Sequence, residues 1–385
     1  MKVLLFPFIY PHFSAPQGGI FIRNQALAVA NLGVQVGVCY AEPRSLRNFS
    51  LTALSQQHFQ IESENDDGLI TIRQKGWNTL LNSSLGASIW CRQMVHLAGK
   101  YIEANGIPDL IHAHGTLWAG VAAELVSSKF GIPFLITEHS SKLMLGQTSL
   151  IEKTSLVRAL KRANTVVAVS PNLAKCLQNH YLRREISIIP NSVDFHKFAI
   201  GDEAELHDRY QFICVGPFDN NKRQAVLIEA FAEVLPVHRD TQLVLVGDGS
   251  EYRRLRIMVS DRGLTDNVTF LPFMAQKDLS KLLQRCDCLV SASKTETFGL
   301  SIVEALATGL PVIATRSGGP ENIVVPAVGL LVDADSPHEL AEAMMKFRAN
   351  PPPIRSEIRN YAMSRFSSTL VAEQLVKLYR AMVST

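Results

Sequence analysis

The chain has 385 residues, with 38 Lys and Arg against 35 Asp and Glu, and it is 47% apolar and 19% charged. This length favours two domains, and this composition excludes wholesale disorder. Residues 1–190 hold 17 basic and 11 acidic residues, net +6, whereas residues 191–385 hold 21 and 24, net −3. The basic first half favours an anionic lipid, a nucleic acid or an acidic substrate as partner, with a solvated basic face as an equal alternative.

Targeting signals and cysteine spacing point to the cytoplasm. No apolar run approaches the ~18 residues that a membrane-spanning helix needs. Residues 1–10 are apolar with one positive charge and no small-residue cleavage site, which favours a buried strand over a signal peptide. The six cysteines are scattered, and Cys286 and Cys288 are too close for a structural zinc site, so we expect reduced thiols.

In the first half, short β-branched runs alternate with segments of helical period, which predicts a doubly wound parallel sheet. The predicted strands are 3–8, 34–40, 69–73, 110–113, 133–137, 165–169 and 186–189, and the predicted helices are 25–32, 88–104 and 117–129.

The same pattern restarts after an irregular linker at 190–207, which predicts a second doubly wound domain facing the first. Ligands of such sheets bind beyond the carboxyl ends of the strands, so we expect a cleft between two Rossmann-like α/β domains, 1–192 and 205–365. The predicted strands are 210–215, 242–246, 268–271, 288–291 and 312–314, and the predicted helices are 224–235, 251–262, 278–285, 300–308 and an amphipathic 369–382.

Two strand-end loops have the composition of a phosphate site. Gly18-Gly19 follows the first strand and leads into a helix, where freed backbone N–H groups and the helix start favour an anion, although a tight turn is the alternative. Gly216 allows a second turn, and it is followed by Lys222 and Arg223 at a helix N-terminus. Cations there oppose the helix dipole, so we expect a phosphate to offset them.

Two further loops carry carboxylates. Glu296 and Glu304 are eight residues apart, which does not suit an acid–base pair at one bond but suits two contacts to one extended ligand. The backbone N–H groups from 298 to 301 lie between them, at a predicted helix start. Glu321, which follows a Gly-Gly pair, either accepts from a sugar hydroxyl or favours the start of a helix.

Other motifs point to a weaker role or to none. There is no P-loop and no dinucleotide-binding glycine motif. Asp333-Ala-Asp335 is more typical of a helix start than of a metal site. His114 and His139 end predicted strands and are candidates for catalysis or substrate contact. We expect His112 to point away from His114 and to be structural.

With these residues in view, the sequence resembles the retaining glycosyltransferases of family 4, which have the GT-B fold. The segment from Glu296 to Glu304 matches the family's Glu-x7-Glu signature, and Lys222 matches its phosphate-binding lysine. The resemblance extends over nearly the whole chain and includes residues 18–19, 112–114, 189–198, 245–249, 317–321 and a terminal helix, 366–385, that would return to the first domain.

The resemblance implies a role for each matched residue. Glu304 would bind the ribose of a nucleotide-sugar donor, and Glu296 would hold the transferred sugar. Lys222 would neutralise the departing diphosphate. His114 would complete the catalytic set, with His139 and Glu321 as further contacts to the sugar or the acceptor. The remaining donor-binding positions would be Gly18, Gly19, Gly216, Arg223, Phe298, Gly299 and Leu300.

The sequence departs from the family at the donor loop. Pro217 stands where an arginine usually follows the glycine, and Arg223 replaces the usual glycine after the lysine. A phosphate-binding cation is therefore missing, which leaves open a partner subunit that binds the donor with little turnover. A nucleotide-sugar epimerase and a phosphorylase with pyridoxal phosphate on a similar fold are further alternatives.

The expected function is retaining transfer of a hexosyl group from a UDP- or GDP-sugar to a glycan or lipid-linked acceptor, in bacterial surface polysaccharide or lipopolysaccharide synthesis. The resemblance implies no metal and no cofactor, and nucleic acid drops out as a partner. Acceptor loops are expected within 41–68 and 140–155. An anionic-membrane contact at the inner face of the cytoplasmic membrane is expected from Arg158, Lys161, Arg162, Arg183 and Arg184.

Overall fold

A computed structural model describes residues 1–12, 15–44, 60–78, 80, 83–201, 209–350 and 354–384. It divides the chain into two compact units: unit 1 is Met1–Asn191 with Ser368–Thr385, and unit 2 is Ser192–Ser367. The predicted boundaries were 1–192 and 205–365, with 366–385 returning to the first domain. Residues 202–208 of the predicted linker lie outside the described residues.

Unit 1 contains an eight-stranded sheet of order β3-β4-β2-β1-β5-β6-β7-β8. All neighbours are parallel except β3 and β4, which are antiparallel. The strands are β1 (Lys2–Pro7), β2 (Gln35–Arg44), β3 (Ile61–Asp66), β4 (Leu69–Trp77), β5 (Leu110–His114), β6 (Phe134–Glu138), β7 (Thr165–Ala168) and β8 (Ser187–Ile188).

The last helix of the chain completes the core of unit 1. Its residues Val371, Leu375 and Tyr379 are buried against strand residues such as Val3 and Val36. The helices of unit 1 are α1 (Ile20–Asn31), α2 (Ser84–Asn105), α3 (Val121–Phe130), α4 (Ser141–Met144), α5 (Leu150–Arg162), α6 (Pro171–His180) and, from the other end of the chain, α13 (Ser368–Val383).

Unit 2 contains a fully parallel six-stranded sheet of order β11-β10-β9-β12-β13-β14. Its strands are β9 (Tyr210–Val215), β10 (Thr241–Val246), β11 (Val268–Leu271), β12 (Cys288–Ser291), β13 (Val312–Thr315) and β14 (Gly329–Val332). Its helices are α7 (Gln224–Val234), α8 (Tyr252–Asp261), α9 (Gln276–Arg285), α10 (Leu300–Ala307), α11 (Pro337–Ala349) and α12 (Arg355–Phe366).

The prediction of two Rossmann-like α/β domains is confirmed. It missed several elements, among them the apolar strand β14, Gly-Leu-Leu-Val, and the polar strand β3. Strand β3 reads Ile-Glu-Ser-Glu-Asn-Asp and has no apolar face, so it pairs at the sheet edge through ions. There Arg73 and Lys75 of β4 bind Glu64 at 3.0 Å and Glu62 at 2.8 Å. Such cross-strand pairs stabilise an edge without a buried side chain.

Helix α5 was also missed, although a capping signal precedes it. Ser149 accepts from the backbone N–H of Glu152, and the Glu152 carboxylate accepts from the N–H of Ser149. This reciprocal pair is the Ser-x-x-Glu capping box, which marks a helix N-terminus in a sequence. Part of the region predicted as an acceptor loop, 140–155, is therefore helical; residues 45–59 of the other predicted loop lie outside the described residues.

The strand orders define one switch point in each sheet. In unit 2, β9 and β12 are neighbours; the chain continues from β9 to β10 on one side and from β12 to β13 on the other. In unit 1 the chain leaves the neighbours β1 and β5 in the same way, towards β2 and β6. Open α/β sheets bind ligands beyond the carboxyl ends of the strands at such a point. The loops that follow β9 and β12, and those that follow β1 and β5, are therefore the places to look for a site.

Candidate functional site

An ion pair joins the two loops at the switch point of unit 2. The Lys222 ammonium, in the loop after β9, donates to the Glu296 carboxylate, in the loop after β12. Burial alone would lower the pKa of Lys222, but the Glu296 carboxylate outweighs it and raises that pKa. Lys222 is thus a fixed cation at the place where the sheet topology predicts a ligand.

Asn221, which the sequence analysis did not single out, fixes the distance between these two loops. Its side-chain amide donates to the carbonyl of Thr295 at 2.9 Å, and its side-chain oxygen accepts from the N–H of Thr295 at 3.2 Å. Its own carbonyl accepts from the N–H of Lys294 at 2.7 Å. Three bonds therefore hold the residues next to Lys222 and Glu296 in register, and a lone Asn gives no sequence signal for such a role.

The loop before α10 offers unused backbone donors. Within the described part of the chain, the N–H groups of Phe298, Gly299, Leu300 and Ser301 donate to no acceptor, and they stand at the N-terminus of α10. Free N–H groups and the helix dipole favour an anion there. The predicted cluster of 298–300 therefore has the donors that a phosphate or a sugar oxygen requires.

Gly319 lets the neighbouring loop approach this one closely. A Cβ at Gly319 would lie 2.5 Å from the backbone N and Cα of Phe298, closer than any real Cβ contact. The backbone of Glu296 pairs with that of Gly318, through the N–H of Glu296 and the carbonyl of Ser317 at 2.8 Å. The loop after β13 therefore packs against the loop after β12 and hydrogen-bonds to its backbone.

Glu304 lies inside unit 2, on the second turn of α10. Glu304 is only 7% exposed. Burial raises the pKa of its carboxyl group from 4.5 to about 8, although a hydrogen bond from Gln276 opposes this shift. The carboxyl group is therefore protonated at neutral pH in this structure. A neutral carboxyl group both donates and accepts, which suits a contact with ribose hydroxyls.

Arg223 has acceptors within the protein. It caps α7 with a left-handed backbone, and its guanidinium donates to the carbonyl of Ala334 at 2.7 Å and pairs with Asp335 at 2.5 Å. In this structure Asp335 offsets the charge of Arg223, and the phosphate expected there from the sequence stays a prediction. Asp335, the second aspartate of the Asp-x-Asp pattern, thus has Arg223 as its partner.

Glu321 and Gly216 are also engaged within the protein. The Glu321 carboxylate accepts from the N–H of Gly318 at 2.8 Å and from that of Ser317 at 3.2 Å, so it shapes its own loop. The N–H of Gly216 donates to the carbonyl of Val246 at 3.0 Å. Gly216 lies beside the aliphatic part of Lys222, so its contribution to the site is room for that side chain.

At the switch point of unit 1, Gly18 and Gly19 differ in whether their backbone N–H groups have an acceptor. The N–H of Gly18 donates to the carbonyl of Ala15 at 3.0 Å, so it is engaged in a turn, and the predicted use of Gly18 as an anion donor stays a prediction. Gly19 caps α1 with φ +71°, and a Cβ there would lie 2.7 Å from the carbonyl carbon of Ile9. The N–H of Gly19 donates to none of the described residues, and it remains the candidate donor of the pair.

Three histidines of unit 1 form one cluster: His112 and His114 are buried, and His139 is partly exposed. His112 and His114 have ring centroids 4.1 Å apart, so the expectation that they point apart is wrong, because residues i and i+2 of a strand share a face. Nδ1 of His114 lies 3.1 Å from Nε2 of His139. Burial lowers the pKa of His112 and of His139 to about 3, and lowers that of His114 well below its usual value.

His112 is tied to the terminal helix. Its ring nitrogens lie 2.7 Å from the hydroxyl of Tyr379 on α13 and 2.7 Å from that of Thr137. This supports the structural role expected for His112. His114 is 1% exposed, so the predicted catalytic residue is a neutral, packed side chain here.

Three of the five residues of the predicted membrane patch have partners within unit 1. Arg158 and Arg162 both bind the buried Glu124, at 2.9 and 3.2 Å, and Arg184 donates to the carbonyl of Ala163 at 2.8 Å. No helix among the described residues is long and apolar enough to cross a membrane. Those residues also contain no cluster of three His, Cys, Asp or Glu side chains that would hold a metal ion.

Two doubly wound sheets and a lysine–glutamate pair at a switch point define a protein of the GT-B type. Comparison with known families agrees: the family "Glycosyl transferases group 1" matches residues 197–365, and "Glycosyltransferase Family 4" matches residues 18–197. The chain belongs to glycosyltransferase family 4.

Relatives and solved structures agree with this assignment. An uncharacterized glycosyltransferase of Methanocaldococcus jannaschii is 29% identical over 254 residues, 65% of this chain and 68% of that protein. The sucrose-phosphate synthase of Thermosynechococcus elongatus has a TM-score of 0.84 at 24% identity, over 100% of this chain and 99% of that one. Anabaena HepE in complex with UDP-glucose has a TM-score of 0.74 at 22% identity, over 99% and 100%. The two structures show a shared fold.

Proposed function

We propose that this glycosyltransferase moves a hexosyl group from a nucleotide-diphosphate sugar to an acceptor hydroxyl and retains the configuration of the anomeric carbon. The observation that carries the proposal is the partly buried Lys222–Glu296 pair at the switch point of unit 2, next to the unused N–H groups of residues 298–301. A cation and a helix start are what a departing diphosphate requires.

The chemistry follows from where charge develops. The bond between the anomeric carbon and the diphosphate oxygen breaks, and its electron pair goes to that oxygen. Lys222 and the N–H groups before α10 stabilise the resulting anion, and losing one such donor typically costs about 3 kcal/mol. The acceptor oxygen bonds to the anomeric carbon on the same face, and its proton passes to the leaving phosphate.

Lys222 and Glu296 exchange partners in this mechanism. In the free protein each satisfies the charge of the other. An arriving diphosphate takes over the ammonium group, which releases the Glu296 carboxylate to accept from hydroxyls of the transferred sugar. Glu304, neutral and buried, is the proposed contact for the ribose. Lys222 supplies the positive charge opposite the leaving group, so we propose that no metal ion is needed.

Donor hydrolysis tests the proposal without knowledge of the acceptor. Because HepE has been solved with UDP-glucose, UDP-glucose is the first donor to test, followed by GDP- and ADP-sugars. We expect Lys222→Ala and Glu296→Gln to lower the rate at least tenfold, and Lys294→Ala, an exposed lysine of the same loop, to leave it unchanged. Equal rates in Lys222→Ala and wild type refute the proposal.

Further measurements separate the alternatives. Proton NMR of the released or transferred sugar gives its anomeric configuration, and an inverted product contradicts retention. Activity that disappears with EDTA contradicts metal independence. Donor binding by calorimetry without turnover supports the partner subunit, which Pro217 motivates, and a new nucleotide sugar formed without acceptor supports the epimerase. A yellow purified protein would indicate a pyridoxal phosphate phosphorylase.

We propose a glycan or lipid-linked acceptor in bacterial surface polysaccharide or lipopolysaccharide synthesis, at the inner face of the cytoplasmic membrane. The support is the net charge of +6 in residues 1–190. Of the five residues of the predicted patch, Arg158, Arg162 and Arg184 have partners, whereas Lys161 and Arg183 have none among the described residues and are the proposed lipid contacts. Each contributes about 1 kcal/mol near an anionic surface. Co-sedimentation with vesicles that does not depend on anionic lipid contradicts this contact.

A further inference from the structure

Unit 2 contains a cavity at the amino edge of its sheet, opposite the edge that carries the proposed donor loops. Its volume is about 390 Å³, within the range of small-molecule sites. The cavity lies where α7 and α8 end and before β10 and β11 begin. Helix α7, whose 11 residues extend about 16 Å, lies between the cavity and the loop of Lys222. A ligand in this cavity therefore does not compete with the proposed donor.

The floor of the cavity is apolar. It is formed by Ala232 and Leu235 at the end of α7, by Pro236, and by Leu264 in the loop after α8. Leu264 is only 4% exposed and belongs to the core of unit 2, against which Ala232 and Leu235 also pack. No aromatic side chain is among the described residues of the lining, so a sugar ring or a nucleobase finds no ring to stack on. The floor suits an aliphatic or aromatic body without hydroxyl groups.

Two arginines stand at the polar side of the cavity. Arg262 lies 3.2 Å from the Glu229 carboxylate, and the two side chains are 42% and 41% exposed. Exposed pairs of this kind contribute little to stability, so an arriving anion competes with Glu229 at a low cost. Arg239 is exposed, and its guanidinium donates to no acceptor among the residues that the structure describes. A guanidinium group offers parallel donors that match a carboxylate or a phosphate.

The cavity has no acidic lining to neutralise these arginines. Of the acidic residues that the structure describes, none lines it. Asp240, next to Arg239 in the chain, is bound by Arg348 instead. Glu233, on the last turn of α7, lies 2.8 Å from His338. The charge of Arg239 is therefore left for a ligand.

We propose that this cavity binds a small organic anion, which carries a carboxylate or phosphate group on an apolar body, at a site separate from the transfer reaction. Arg239 and Arg262 would hold the charged group, and the apolar floor would hold the body. A bare inorganic anion would leave the floor in contact with water. A neutral amphiphile would gain no ion pair from the arginines, and a cation would be repelled by them.

Isothermal titration calorimetry on the full chain tests the proposal. The probes are 4-phenylbutanoate, octanoate and phenyl phosphate, and their counterparts are 4-phenylbutanamide, octanamide and inorganic phosphate. We expect at least one probe to bind about tenfold more tightly than its counterpart, and Arg239→Gln to weaken it about fivefold or more. Ala232→Leu, which fills the cavity and keeps both arginines, should weaken the same probe. Arg253→Gln, an exposed arginine of α8 outside the lining, is the control that changes nothing.

Several results would overturn the proposal. It fails if no probe binds, or if every counterpart binds as tightly as its probe. It also fails if either Arg239→Gln or Ala232→Leu binds as wild type while its circular dichroism matches wild type, or if Arg253→Gln weakens binding as much as Arg239→Gln. Displacement of the probe by excess UDP would place it at the proposed donor loops instead. The inference does not depend on glycosyl transfer, so an unchanged rate in Lys222→Ala would refute only the proposed function.

Discussion

The replacement Glu304→Gln should abolish a large pH dependence of stability in unit 2. Burial raises the pKa of Glu304 from 4.5 to about 8 in the folded protein. Between these values the folded state holds one proton more than the unfolded state, so the free energy of unfolding falls as the pH rises. The effect is fully present below the unfolded pKa and is lost as the pH rises through the folded pKa.

The size of the effect follows from the shift. One pH unit corresponds to about 1.4 kcal/mol, so the window from 4.5 to about 8 corresponds to about 5 kcal/mol. Glutamine has nearly the shape of the protonated carboxyl group, so the variant should match wild type at the acidic end. At the alkaline end the variant should be the more stable protein.

Urea unfolding of both proteins across this window measures the difference. Other groups, including the buried histidines, titrate in both proteins, so their contributions cancel in the difference. All three tryptophans lie in the first 118 residues, so their fluorescence reports on unit 1, while far-UV circular dichroism reports on the whole chain. The exposed Glu357→Gln is the control. A difference that changes by less than about 1 kcal/mol over the window refutes the reasoning.

Three further predictions concern positioning and packing. Asn221→Ala removes both side-chain bonds to Thr295 and should raise the donor KM about tenfold, whereas the exposed neighbour Asn220→Ala should not; unchanged kinetics would reject the positioning role. Gly319→Ala forces a Cβ into Phe298 and should cost about 1–3 kcal/mol in urea unfolding, whereas Gly99→Ala, with open space around it, should cost nothing; equal midpoints contradict the contact. Tyr379→Phe leaves Nδ1 of His112 without its partner and should lower the unfolding free energy of unit 1 by about 1–3 kcal/mol by tryptophan fluorescence, and a smaller loss argues against this bond.

The sequence located the loops proposed to bind the donor because their signals are local. Glycines that permit a turn, a lysine before a helix and two glutamates at fixed spacing are readable in order along the chain. The alternation of strands and helices also predicted two parallel sheets, since strands that are buried on both faces are apolar throughout. The polar edge strand β3 and the helix after Ser149 were missed, because pairing and capping, respectively, stabilise them without an apolar pattern.

Contacts between residues far apart in the sequence could not be predicted from local sequence patterns. Nothing near Arg223 indicates that Asp335 neutralises it, and nothing near Asn221 indicates that Thr295 lies opposite. The N–H of Gly18 is used by a residue only three positions away, yet the same two glycines are compatible with an open anion site. Such outcomes depend on which loops the sheet order brings together.

The sequence by itself therefore determined the family, the fold class and the segments of the proposed donor site, because periodicity and motif spacing are properties of the chain. Only the tertiary structure decided which of those side chains are available. It pairs Lys222 with Glu296, engages Arg223, buries His114 and raises the pKa of Glu304. Availability and charge state depend on burial and on contacts between distant residues, and those exist only after the sheets have formed.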